Sequence, residues 1–108
     1  MSADTVTHQT KVWIWQDEGG PASWHFVTFD GDAGEAIAAH EAERRLSEGL
    51  RRGFGSVKVE ARIGETAWRT SVFPHKSRAG WLLPLKKAVR SAEGIDEGDV
   101  ISVTLTLL

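Results

Sequence analysis

A chain of 108 residues, 41% apolar and 26% charged, is one globular domain's worth and long enough to bury a core unaided. It holds no apolar run of about eighteen residues, which excludes a membrane-spanning helix, and no cysteine, which excludes disulfides, thiolate zinc sites and a cysteine nucleophile. The net charge of −2 conceals an asymmetry: residues 44–90 carry 12 of the 13 Lys and Arg but 3 of the 15 acids, a net of +9 against −11 elsewhere. Such a split either offers an anion-binding face or is neutralised within the fold, and the near-zero total favours neutralisation.

Residues 1–6 read as a disordered tail and 7–108 as a single domain. Met1-Ser2-Ala3-Asp4 has neither a basic nor an apolar leader pattern, so a bacterial-type cytoplasmic protein is expected. Thr7 to Gln16 alternates, with Val12 and Ile14 on one face and Trp13 and Trp15 on the other, a strand with apolar groups on both sides. Asp17 to Pro21 is turn chemistry, and Trp24 to Phe29 completes a hairpin. Residues 33–48 read as a helix with a thin stripe of Ile37, Ala38, Ala42, Leu46 and Leu50.

The clearest pattern follows. Val57, Val59, Ala61 and Ile63 alternate with Lys58, Glu60 and Arg62, a half-buried antiparallel strand. Gly64-Glu65 turns it into a strand over Thr66 to Phe73. A polar loop leads to a short strand, Trp81 to Leu83. Pro84 suits the first turn of a second helix with Leu85, Ala88, Val89 and Ala92 buried, closed by Gly94. The last strand alternates Ile101, Val103, Leu105 and Leu107 with Ser102, Thr104 and Thr106. The expected fold is mainly β with two helices: about six antiparallel strands in a small closed or partly open barrel.

The order of motifs is specific. Trp24-His25-Phe26-Val27 comes first, then Gly53-Phe54-Gly55-Ser56-Val57, then Thr66-Ala67-Trp68-Arg69-Thr70-Ser71-Val72-Phe73-Pro74. Gly80-Trp81-Leu82-Leu83-Pro84-Leu85-Lys86-Lys87-Ala88-Val89-Arg90 precedes Gly94-Ile95 and Glu97-Gly98-Asp99. Over roughly residues 8–107 the chain resembles the bacterial domain-of-unknown-function family 1905. The resemblance implies a double-split β-barrel, similar in architecture to the swapped-hairpin DNA-binding domains of transition-state regulators and some antitoxins. It implies no activity, since fold kinship carries no function.

The functional candidate is an aromatic and arginine cluster. Trp24, His25, Trp68, Arg69, Ser71, Trp81 and Lys87 are the expected ligand-binding set, with Thr70, Lys76 and Arg78 beside them. Indoles with a few polar groups are the usual lining of a small-molecule site, and Arg and Lys hold carboxylate or phosphate by charge-assisted hydrogen bonds. The competing reading makes Trp68 and Trp81 core and Arg69 a surface charge. A nucleic-acid or regulatory reading rests on the basic 44–90 segment, including Arg51, Arg52, Lys58, Arg62, Lys86 and Arg90, against a pI near 6.1. An enzyme reading rests on His25 or His75, the latter near Ser71, without a nucleophile elbow. The expectation is a non-catalytic module, monomeric or homodimeric, with no cofactor, metal or membrane partner.

Overall fold

Val12 divides what alternation presents as one strand. Its N–H donates to Asp99 O and its carbonyl accepts from Gly98 N, each at 2.9 Å, so its backbone bonds go to a turn and not to a neighbouring strand. On either side lie β1 (Thr5–Lys11), which pairs with the last strand, and β2 (Trp13–Gln16), which pairs with the next one. The computed structural model describes residues 5–16, 23–47, 55–75 and 80–108. The first strand thus begins at Thr5, two residues before the expected start.

The chain continues through β3 (Ser23–Phe29), α1 (Gly31–Ser47), β4 (Val57–Ile63), β5 (Thr66–Pro74), β6 (Trp81–Pro84), α2 (Lys87–Glu93) and β7 (Val100–Leu107). All pairings are antiparallel, in the order β1-β7-β4-β5-β6-β3-β2. The expectation of a mainly β fold with two helices holds. The expected barrel of about six strands is corrected: among the described residues there are seven, curled into a half-barrel whose edges β1 and β2 are not joined by a ladder. The physical reason is Val12, which hands one run of sequence to both edges. Thr10 Oγ1 donates to Thr28 O at 3.0 Å, a side-chain link from β1 to β3.

Alternation puts the core on the concave face. Val27 and Phe29 of β3, Val57, Val59, Ala61 and Ile63 of β4, Val72 of β5, Leu83 of β6 and Val103 and Leu105 of β7 are buried. Gly64, at φ 58°, supplies the left-handed residue that the tight β4–β5 turn needs.

Both helices depart from their expected stripes. In α1 the buried residues are Ala33, Gly34 and Ile37, whereas Ala38 and Ala42 are exposed and Leu46 is 71% exposed. The helix buries its apolar residues on the sheet in its first two turns, where Gly34 lies against the carbonyl of Phe29, and its later turns reach Leu108 O through His40 and Arg44. Leu50 lies outside the described residues. Of the second expected stripe, Leu85 is buried just ahead of α2 and Val89 within it, but Ala88 and Ala92 are exposed. Pro84 is the last residue of β6, opposite Phe26, and does not start the helix. A proline fits there because its missing N–H leaves no ladder bond unmade at a strand end. Gly94 closes α2 as expected, at φ 63° with its N–H returned to Arg90 O.

Candidate ligand-binding cleft

The cleft forms where two neighbouring strands part. The β5–β6 ladder has two pairs, Phe73↔Leu82 and Pro74↔Trp81. Beyond it β6 stays with β3: Pro84 faces Phe26, and Leu85 N donates to His25 O at 2.9 Å. β5 stays with β4, with Trp68 opposite Ala61 and Arg69 opposite Glu60. Between the diverging strands opens a cleft of about 300 Å³. This is the lower end of the range for small-molecule sites.

Three elements line it: Trp24 and His25 from β3, Trp68, Arg69 and Thr70 from β5, and Pro84 to Lys87 with Arg90 from the β6–α2 corner. Trp24 is half exposed, and Trp68 is half-buried with one side packed on the core. Four cations, Arg69, Lys86, Lys87 and Arg90, line the cleft and, among the described residues, no acid does; Glu60 stands opposite Arg69 in the β4–β5 ladder. Arg90 is fixed by Nε donating to Leu85 O at 3.1 Å. Thr66 Oγ1 donates to Glu93 of α2 at 2.5 Å, which ties the helix to the start of β5.

His25 is half-buried, but its Nδ1 is enclosed and has no hydrogen-bond partner among the described residues. Burial pushes its pKa below the ordinary 6.5; the charge of Arg90 adds to this, and Glu97 and Asp96 act in the opposite sense. The lowered pKa favours the neutral imidazole. A neutral ring keeps one donor and one acceptor nitrogen.

Of the expected set, Trp24, His25, Trp68, Arg69 and Lys87 come together here. Two do not. Trp81 is 8% exposed and opposite Phe29, a core residue on the concave face. Ser71 is opposite Lys58, away from the cleft. Sequence reasoning left Lys86 and Arg90 out of the set; with Lys87 they recur at one-turn spacing around a short helix, which is a readable signal. Lys76, Arg78, Arg51 and Arg52 lie outside the described residues. Lys58 and Arg62 flank Glu60 on the exposed face of β4. The ring of His75 stacks on Trp13 with centroids 6.5 Å apart, and His40 Nε2 lies 3.0 Å from Leu108 O. Among the described residues, no cluster of His, Asp and Glu could hold a metal ion, and no helix is long and apolar enough to cross a membrane.

A half-barrel with an aromatic, cationic cleft at a strand divergence defines a small β-rich domain with a recessed surface site. The model of the domain of unknown function family DUF1905 matches residues 9–105, and the chain belongs to that family. No curated protein matches it.

Proposed function

We propose that this is a non-catalytic binding module whose cleft takes a small anionic compound with an aromatic part. One observation carries the reading: four cationic side chains and two indoles line a single cleft, and no carboxylate is among its described lining residues. Charge-assisted hydrogen bonds from Arg and Lys suit carboxylate or phosphate, and a half-exposed indole suits a flat ring. The fixed position of Arg90 and the packed side of Trp68 reduce the ordering cost of binding.

The test is a titration with small aromatic carboxylates and phosphates, read by tryptophan fluorescence and by the indole N–H resonances. Trp24 and Trp68 signals are expected to move, and the double variant Arg69→Glu, Lys87→Glu is expected to weaken binding at least tenfold. A broad set of such anions that moves neither signal overturns the reading.

A further inference from the structure

The β2–β3 hairpin carries an aromatic ladder on its convex face. Trp15 stands opposite Trp24, and Trp13 opposite Phe26. Opposite residues of an antiparallel pair project from the same face. Trp15 and Trp24 are 50% and 52% exposed. Trp13 is held by its Nε1–H, which donates to Thr28 Oγ1 at 3.0 Å, and by the Phe26 ring at a centroid distance of 5.1 Å. By register the same face continues through Pro84 and Leu82 to Phe73, itself 45% exposed. A contiguous apolar surface of this kind marks a contact site more often than a chance exposure.

The ladder and the cationic cleft share Trp24. One surface therefore offers flat aromatic faces at one end and four positive charges at the other. A simple carboxylate or phosphate uses the cleft and leaves the ladder bare. A purely apolar ligand, or an apolar protein surface, uses the ladder and forces the neighbouring cations to lose water without an anionic partner. A compound with a flat heterocycle joined to a phosphate satisfies both ends. Stacking of a base on an exposed aromatic is sequence-tolerant, and a cationic groove beside it binds the phosphate.

We infer that the ladder and the cleft together bind a nucleoside phosphate, with the base against the Trp15–Trp24 pair and the phosphate among Arg69, Lys86, Lys87 and Arg90. This rests on the reading of the cleft as an anion site and names its ligand class. The chemistry has two sources, a free nucleotide and a single strand of nucleic acid.

The experiment compares adenosine monophosphate with ribose 5-phosphate on the full chain, by fluorescence quenching and indole N–H shifts. The nucleotide is expected to bind at least tenfold tighter, and that advantage is expected to collapse towards one in Trp15→Ala. Trp15→Phe is expected to retain most of it, which separates lost stacking from a damaged fold. Equal affinity for the two compounds in the wild type overturns the nucleotide inference and leaves the anion cleft standing. Binding of neither overturns both. Octathymidylate against thymidine monophosphate distinguishes the sources: a tenfold gain with a steep salt dependence assigns the site to a strand, and equal affinity assigns it to free nucleotides. Sedimentation of the unliganded protein completes the test. A dimer that Trp15→Ala dissociates shows that a second copy covers the ladder, and overturns the inference.

Discussion

Glu93 accepts a hydrogen bond from Thr66 Oγ1, and the same carboxylate lies over Gly64, so one side chain of α2 meets both the turn and the first residue of β5. The contact sets where α2 stands, and with it Lys87 and Arg90. Thr66→Val removes the donor and leaves a part-buried carboxylate without it. The expected loss is about 1.5 kcal/mol, the low end of the range for a hydrogen bond to a charged group because the carboxylate is only part-buried. It is read as a lower urea midpoint at unchanged m.

Gly64→Ala acts at the same point from the other side. A Cβ there would collide with the Glu93 carboxylate, and the φ of 58° is left-handed. Strain and displacement together are expected to cost about 1–2 kcal/mol. Because both changes break one contact, the double variant is expected to lose less than the sum of the two singles. Strict additivity would show that Glu93 does not couple them.

Gly34 and Leu46 test how α1 is held. A Cβ on Gly34 would sit 2.8 Å from the Phe29 carbonyl, a backbone atom that cannot swing aside. Gly34→Ala is expected to cost about 2 kcal/mol despite the better helix propensity of alanine. Leu46→Ala, at a position 71% exposed, is expected to change stability by less than about 0.5 kcal/mol. The reverse order of effects in thermal melts would place the packing of α1 along its length and not at its start.

The unfolded chain binds a proton at His25 more readily than the folded one, because burial and Arg90 lower the folded pKa from 6.5. Its contribution to stability is fully present above that value and is lost as pH falls below it towards the folded pKa. Unfolding free energy is therefore expected to decline between pH 7.5 and pH 5, and His25→Gln is expected to flatten the decline. An unchanged slope in the variant would remove His25 as its source.

Strand pattern was legible where one face meets the core and the other meets water. Val57 to Ile63 and Ile101 to Leu107 announce themselves because alternation is the direct imprint of that geometry. The break at Val12 was not legible, since alternation runs straight through it and its cause is a distant partner, the Gly98–Asp99 turn. The face of α1 was read only at Ile37, because the rest of its buried contact is made by Ala33 and Gly34, which leave no apolar stripe. Pro84 fits a strand end as well as a helix start, and only its pairing with Phe26 decides. In the site, Trp24, Trp68 and Arg69 were readable as unusual residues on strands. Trp81 looked the same in sequence, and the side of the sheet it faces follows from its pairing with Phe29.

Val12 makes the two margins of the half-barrel consecutive along the chain. A sheet of this kind ordinarily has two ends that fray independently. Here, detaching β1 from β7 pulls on the residue that positions β2, and the reverse holds as well. The two margins therefore form one cooperative opening unit with a shared latch at the Gly98–Asp99 turn. Amide exchange in β1 and β2 is expected to rise and fall together as a result, and independent exchange of the two strands would show that Val12 does not couple them.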